Sequence, residues 1–225
     1  MSGDADENGT TIMKIVEAIA ITPQDAREVV HQYEAHARAT NPRATAASIR
    51  KHVTDKIIRR YSRMTAFSGG ATSLTGVVPG LGTAIAMAGG GLADISICMK
   101  LQVDMTMCLA IAINDKLTNE DAKHMSFVVA LAGSLEKFGS EAAKKTTSKA
   151  AVNIVSRYLK GATLQTIRQL FKLVGIKFTQ RAAIKAIPFG AGVVIGATAN
   201  YYLTQYVGKI ARDVFLLETE ETAVS

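Results

Sequence analysis

The stretch VPGLGTAIAMAGGGLADISICMKLQ, Val78 to Gln102, decides the fold. Pro79-Gly80-Leu81-Gly82 opens a helix after a Gly/Ser/Thr-rich run. Gly82, Ala86, Gly90, Asp94, Cys98 and Gln102 then recur every four residues, a smooth stripe flanked by larger residues such as Ile85 and Met87. Glycine inside a helix costs about 1 kcal/mol relative to alanine, so several in register point to a compensating gain, the close approach of another helix. A second segment repeats the design. Ile187-Pro188-Phe189-Gly190-Ala191-Gly192 opens it, and Gly192, Gly196, Asn200, Thr204 and Gly208 carry the same period. The two stripes are expected to face one another, or a copy of themselves, and their openings look like a weak internal duplication.

Outward from these segments the chain reads as further helices, with strand signals nearly absent. Thr22-Pro23-Gln24-Asp25 has an N-cap, a first-turn proline and an acid, and Asn41-Pro42 repeats that start. Ile49, Val53, Ile57, Tyr61 and Met64 then follow at steps of three and four, with Lys51, Lys56, Arg59 and Arg63 on the other side. Thr118-Asn119-Glu120-Asp121 opens a helix through Met125, Val128, Val129 and Leu131. Ser140-Glu141 opens the next, which closes at Lys160-Gly161, and short helices are expected around 163–174 and 176–186. The expected fold is all-α: a helical bundle with two glycine-rich apolar helices at its centre and basic amphipathic helices around them. Residues 1–42 are read as a helical extension with disordered first residues, 43–216 as the helical domain and 217–225 as a flexible acidic tail.

Composition bounds the function. With 225 residues, 48% apolar and 20% charged, the chain is long enough for one core and too apolar for disorder. It has no tryptophan and 6% aromatic residues, which argues against a base-stacking platform. Cys98 and Cys108, ten positions apart on one expected helix, are beyond disulfide reach and read as buried, reduced thiols. The acidic start, Asp4, Asp6 and Glu7, is not a secretory signal, so a cytoplasmic site is expected. The net charge of +7 is uneven: seven basic residues against Asp55 over 43–63, and eleven against Glu141 over 137–185. Such a field suits an anionic lipid surface or nucleic acid, or is simply a solvated face. Met64–Ala93 is uncharged over thirty residues and Ala186–Gly208 over twenty-three. As spanning helices both are marginal. The first is followed by Asp94, whose carboxylate in mid-bilayer costs about 2.5–3.5 kcal/mol. The second carries Asn200, Gln205 and three tyrosines.

The residues also carry a family resemblance. Pro79-Gly80-Leu81-Gly82-Thr83, Gly89 to Gly91, Ala93-Asp94 and Leu101-Gln102 resemble the first half of EcsC-like bacterial proteins. Ile187-Pro188-Phe189-Gly190, Gly192, Gly196, Asn200-Tyr201-Tyr202, Thr204, Gly208-Lys209 and Ala211 are similar to the second half. The likeness covers Arg59 to Phe215. It implies an all-helical domain with glycine-rich apolar helices, of a wider group whose members occur beside an ABC transporter or joined to small GTPase domains. This chain has no P-loop pattern, and Ala110-Ile111-Ala112-Ile113-Asn114-Asp115 stands where the family carries a more aromatic helix end.

No catalytic signature stands out. His31, His36, His52 and His124 are scattered, and Gly80-Leu81-Gly82 lacks the third glycine and preceding strand of a dinucleotide site. No metal, cofactor or small-molecule substrate is inferred. The polar residues of the apolar zone, Asp94, Gln102, Asp104 and Asn200, read as a buried network. Asn200, Lys177, Arg181 or Lys185 could partner Asp94, either as a register-setting device or as a contact for an ion, headgroup or partner. Lys51, Lys56, Arg59 and Arg63 precede one apolar segment and Lys177, Arg181 and Lys185 the other, an arrangement suited to docking on anionic lipid or a protein partner. The expectation is a non-catalytic protein at the inner face of the membrane that regulates or assembles an envelope or transport system, with self-association open. The alternative is a membrane-inserting, pore-forming or toxin/immunity-type protein; a third class, an enzyme centred on Asp94 and Asp104, needs activity lost in Asp94→Asn with folding intact.

Overall fold

Capping chemistry starts the helices where threonines stand. Thr22 accepts from the backbone N–H of Asp25 (3.1 Å) and its hydroxyl donates to the Asp25 carboxylate (2.7 Å), with Pro23 in the first turn. Thr118 and Asp121 repeat the same reciprocal pair at 3.1 and 2.7 Å. The computed structural model describes residues 2–67, 81–139, 149–184 and 191–224; the side chains of 2–6, 67, 81–91, 94, 138–139, 178–184, 191–197 and 223–224 are outside that description. Among the described residues there are eight helices and no strand: α1 (Ser2–Ile19), α2 (Pro23–Thr40), α3 (Ala46–Phe67), α4 (Leu81–Ile113), α5 (Asn119–Gly139), α6 (Lys149–Lys160), α7 (Leu164–Ile184) and α8 (Ala191–Val224). The all-α bundle is therefore as expected.

Helix α4 is the axis, packed against α1, α2, α3, α5 and α8, while α8 packs against α3, α4, α5 and α6. Every residue of Ile95–Ile113 is buried. On α3 the spacing reads true: Ile49, Val53, Ile57 and Tyr61 are buried, whereas Lys51, Lys56, Arg59 and Arg63 are exposed. Arg27 of α2 donates to the carbonyls of Asp115 (2.8 Å) and Leu117, tying α2 to the α4–α5 turn. Arg212 of α8 pairs with Asp55 of α3 at 2.9 Å.

Four readings need correction. Asn41-Pro42 does not start a helix: Asn41 caps the C-terminus of α2, and the Ala44 N–H returns to the Asn41 carbonyl (3.1 Å) across a turn with Pro42 in second place. The residue before a proline is driven to extended backbone, here φ −142° and ψ 78°, so the start moves on to Thr45, which accepts from the Ser48 N–H (3.2 Å). Residues 1–42 are no extension. α1 is helical from Ser2 and buries Ile12, Ile15 and Val16 completely. The two short helices expected at 163–174 and 176–186 are one helix, α7, because Gly175 lies inside it against α1 rather than at a break. The acidic tail is the end of α8, held to α6 by Ser156 donating to Glu218 (2.6 Å) and by the Lys160–Glu221 pair (2.6 Å).

Candidate functional site

Two places concentrate polar chemistry: the interior of α4 and the basic outer faces. Inside, Gln102 joins three helices. Its amide nitrogen donates to Thr204 Oγ1 on α8 (3.4 Å) and weakly to Cys98 Sγ (3.6 Å), and its oxygen accepts from the Ser134 hydroxyl on α5 (2.6 Å). Thr106, one turn on, lies within 3.0 Å of the Ser126 carbonyl of α5. Gln102 and Thr204 are members of the two four-residue stripes, which meet at this bond. Further along, Gly208 brings α8 close to α3 and α4: a Cβ there would stand 2.9 Å from Ile58 Cγ1 and 3.0 Å from Met105 Sδ. Gly82, Ala86, Gly90, Gly192 and Gly196 have their side-chain positions outside the described residues, as does Asp94.

A second polar group occupies another face of α4. Asp104, 2% exposed, accepts from the Ile21 N–H in the α1–α2 turn (2.8 Å) and from the Lys100 ammonium one turn back on its own helix. Burial raises the Asp104 carboxyl above the usual carboxylate range, opposed by the Lys100 charge. Tyr61 lies 3.7 Å from the Cys108 sulfur, and burial lifts both groups: the phenol well above 10.0 and the thiol to about 12. Ser96, two helix turns before Asp104, has a buried hydroxyl with no hydrogen-bond partner among the described residues.

Of the four residues read as one network, the three whose side chains are described do not share one group. Gln102 belongs to one polar group and Asp104 to another, while Asn200 contributes its backbone carbonyl to Thr65 (3.5 Å) and its side chain makes no hydrogen bond among the described residues. Sequence reasoning missed the partners of Asp104. Lys100 was legible from its i,i+4 spacing, whereas the Ile21 N–H, eighty-three residues away, was not.

Outside, Lys51 pairs with Asp55 at 3.2 Å, and Arg60 donates to the Tyr33 hydroxyl at 3.2 Å. Lys56, Arg59 and Arg63 are exposed and make no ion pair or hydrogen bond with the described residues. Lys177 is exposed on α7; the side chain of Arg181 and all of Lys185 lie outside the described residues. Two open clefts border these faces. One of about 360 Å³ lies between α3 and α8 with Arg50, Lys51 and Arg212 at its edge and Ile113 and Leu216 on its floor. The other, about 420 Å³, lies between α1 and α7 beside Lys14, Arg168 and Lys172. Neither reaches Asp104, and no three His, Cys, Asp or Glu side chains converge on a metal position among the described residues. No family model, no curated protein and no solved structure matches the chain.

Proposed function

We propose that this chain is a non-catalytic, EcsC-like peripheral protein that docks on anionic lipid at the inner face of a bacterial membrane and there regulates or assembles an envelope or transport system. The observation that carries the reading is the outer face of α3, where Lys56, Arg59 and Arg63 stand exposed without acidic partners among the described residues. Positions three, four and seven apart share one helix face, so the three cations present a single positive strip. Near an anionic leaflet each is worth about 1 kcal/mol, a gain lost to salt. An ion-paired strip would gain far less, because its charge is already neutralised.

Sedimentation with vesicles tests it. The protein should pellet with phosphatidylglycerol-containing vesicles, remain in solution with phosphatidylcholine alone, and be released by high salt. The triple variant Lys56→Glu, Arg59→Glu, Arg63→Glu should lose binding while keeping its melting temperature. Equal binding by the triple variant, or resistance to salt, sinks the reading. Insertion is the second reading, since Ile95–Ile113 is the helix among the described residues long and apolar enough to cross a bilayer, with mean hydropathy 1.5. Its full burial in the bundle favours docking, and release of a trapped dye from the same vesicles is the signature that would reverse that preference.

A further inference from the structure

Of the five large apolar side chains exposed among the described residues, three lie at the junction of α6 and α7, with Leu173 further along α7 and Tyr202 on α8. Ile154 and Tyr158, each 41% exposed, stand one turn apart on the outer side of α6, and Leu164, 59% exposed, opens α7 across the Gly161–Thr163 turn. Arg157 and Arg168 are exposed beside them. No aspartate or glutamate occurs between Glu141 and Asp213. Among the described residues the acids that bond to α6, Glu218 and Glu221, meet it at Ser156 and Lys160. At 3.6 residues per turn, Ser156 lies roughly 160° around the helix from Tyr158. The corner between α6 and α7 therefore carries exposed apolar side chains and cations, while the described acids that bond to α6 meet the opposite side of that helix.

We infer that the α6–α7 corner, with Ile154, Tyr158 and Leu164 as anchors and Arg157 and Arg168 as phosphate contacts, is the element that enters the headgroup region of an anionic bilayer. This rests on the membrane reading above and adds the point of entry. The strip on α3 supplies attraction from a distance, whereas an apolar side chain gains only when it leaves water for the acyl boundary. Tyrosine suits that depth, with an apolar ring and a polar tip. Exposed apolar side chains set among cations are the composition of an interfacial anchor. An acidic protein partner could meet the arginines, but it would leave the three apolar side chains against a charged surface.

The chain has no tryptophan, so Leu164→Trp creates a single reporter in the full-length protein. Tyr158→Trp is a second reporter in the same corner, and Tyr202→Trp, at a side chain 55% exposed on α8, is the comparison. Each is mixed with vesicles of equal parts phosphatidylcholine and phosphatidylglycerol, with and without brominated acyl chains. Emission at 164 and 158 should shift to the blue and be quenched by the brominated lipid, while emission at 202 stays water-like. The pair Tyr158→Ser and Leu164→Ser should weaken vesicle binding roughly tenfold. Binding with tryptophans 164 and 158 still in water, or quenching at 202 instead, overturns the corner and leaves the membrane reading standing. Failure of the unaltered protein to bind these vesicles overturns both.

Discussion

Lys100 sits in the middle of the most apolar helix of the chain, 5% exposed, and is tolerated because Asp104 lies one turn further on. Replacing one member of a buried pair leaves the other charge without compensation, at a cost of about 3–5 kcal/mol. Asp104→Asn should lose that much in denaturant melts, although Asn still offers an oxygen to the Ile21 N–H. Adding Lys100→Met should restore most of it, since the methionine fills the path of the lysine stem without its charge. A double variant as unstable as the single would place the cost elsewhere. The pH dependence has a definite sign. Burial raises the folded-state value of Asp104 above 3.8, so the neutral form is favoured by folding and the stability it contributes is complete below that value and lost as pH rises through the folded one. The difference in stability between the wild type and the double variant should shrink or reverse as pH climbs from that point, and a difference flat with pH would contradict it. Cys98 and Cys108 are buried thiols outside any disulfide, and the Cys108 thiol is pushed up to about 12, so neither should react with a thiol reagent until the protein unfolds, when both should. The i,i+4 geometry made Lys100–Asp104 readable in advance, because a helix alone brings the two together. The Gln102–Ser134–Thr204 group was only half readable, as Ser134 comes from a helix with no periodic mark pointing at α4.

At the scale of elements, glycine decides where helices touch, and among the described glycines the tightest place is the crossing of α1 and α7. A Cβ on Gly9 would stand 2.6 Å from Lys172 Cα, which is backbone and cannot step aside. A Cβ on Gly175 would meet Gly9 Cα and Ile12 Cδ1 at 3.4 Å, an ordinary contact. Gly9→Ala should therefore force the helices apart and cost about 1–3 kcal/mol. Gly175→Ala should be neutral or stabilising, by up to about 1 kcal/mol of helix propensity. Thermal melts of the two variants check this, and equal effects would mean the crossing is not set by glycine. Neither residue belongs to the stripes that drew attention first. A lone glycine in each of two distant helices has no period to reveal it, whereas five glycines shared between two stripes of four-residue period do. The α3 faces were legible for the same reason, and the displaced start at Thr45 was not, since Asn41-Pro42 has the residues of a cap but the geometry of a turn.

For the whole molecule, the sharpest consequence is the place of α1. Ile12, Ile15 and Val16 are fully buried, and at about 1.5–3 kcal/mol for each such side chain their loss is comparable to a domain's entire stability of about 5–15 kcal/mol. Removing residues 1–20 should abolish cooperative unfolding, measured by circular dichroism on heating. A truncated chain that melts normally would restore the reading of this segment as an extension. The removal would also strip the Ile21 turn of its anchor and with it a partner of Asp104, so the buried pair and the first helix are expected to fail together.

Periodicity, capping residues and the absence of strand signals determined by themselves that this protein is helical, where most helices begin, and which side of α3 faces water. These are local properties, set within one or two turns of chain. Tertiary structure alone decided that α1 is core, that α7 is unbroken, that the acidic end of α8 lies along α6, and that Asp104 answers to Ile21 rather than to the Gln102 group. Each of those outcomes depends on contacts between residues far apart in the chain, and the free energy that selects them comes from burying surfaces together, which no single helix contains.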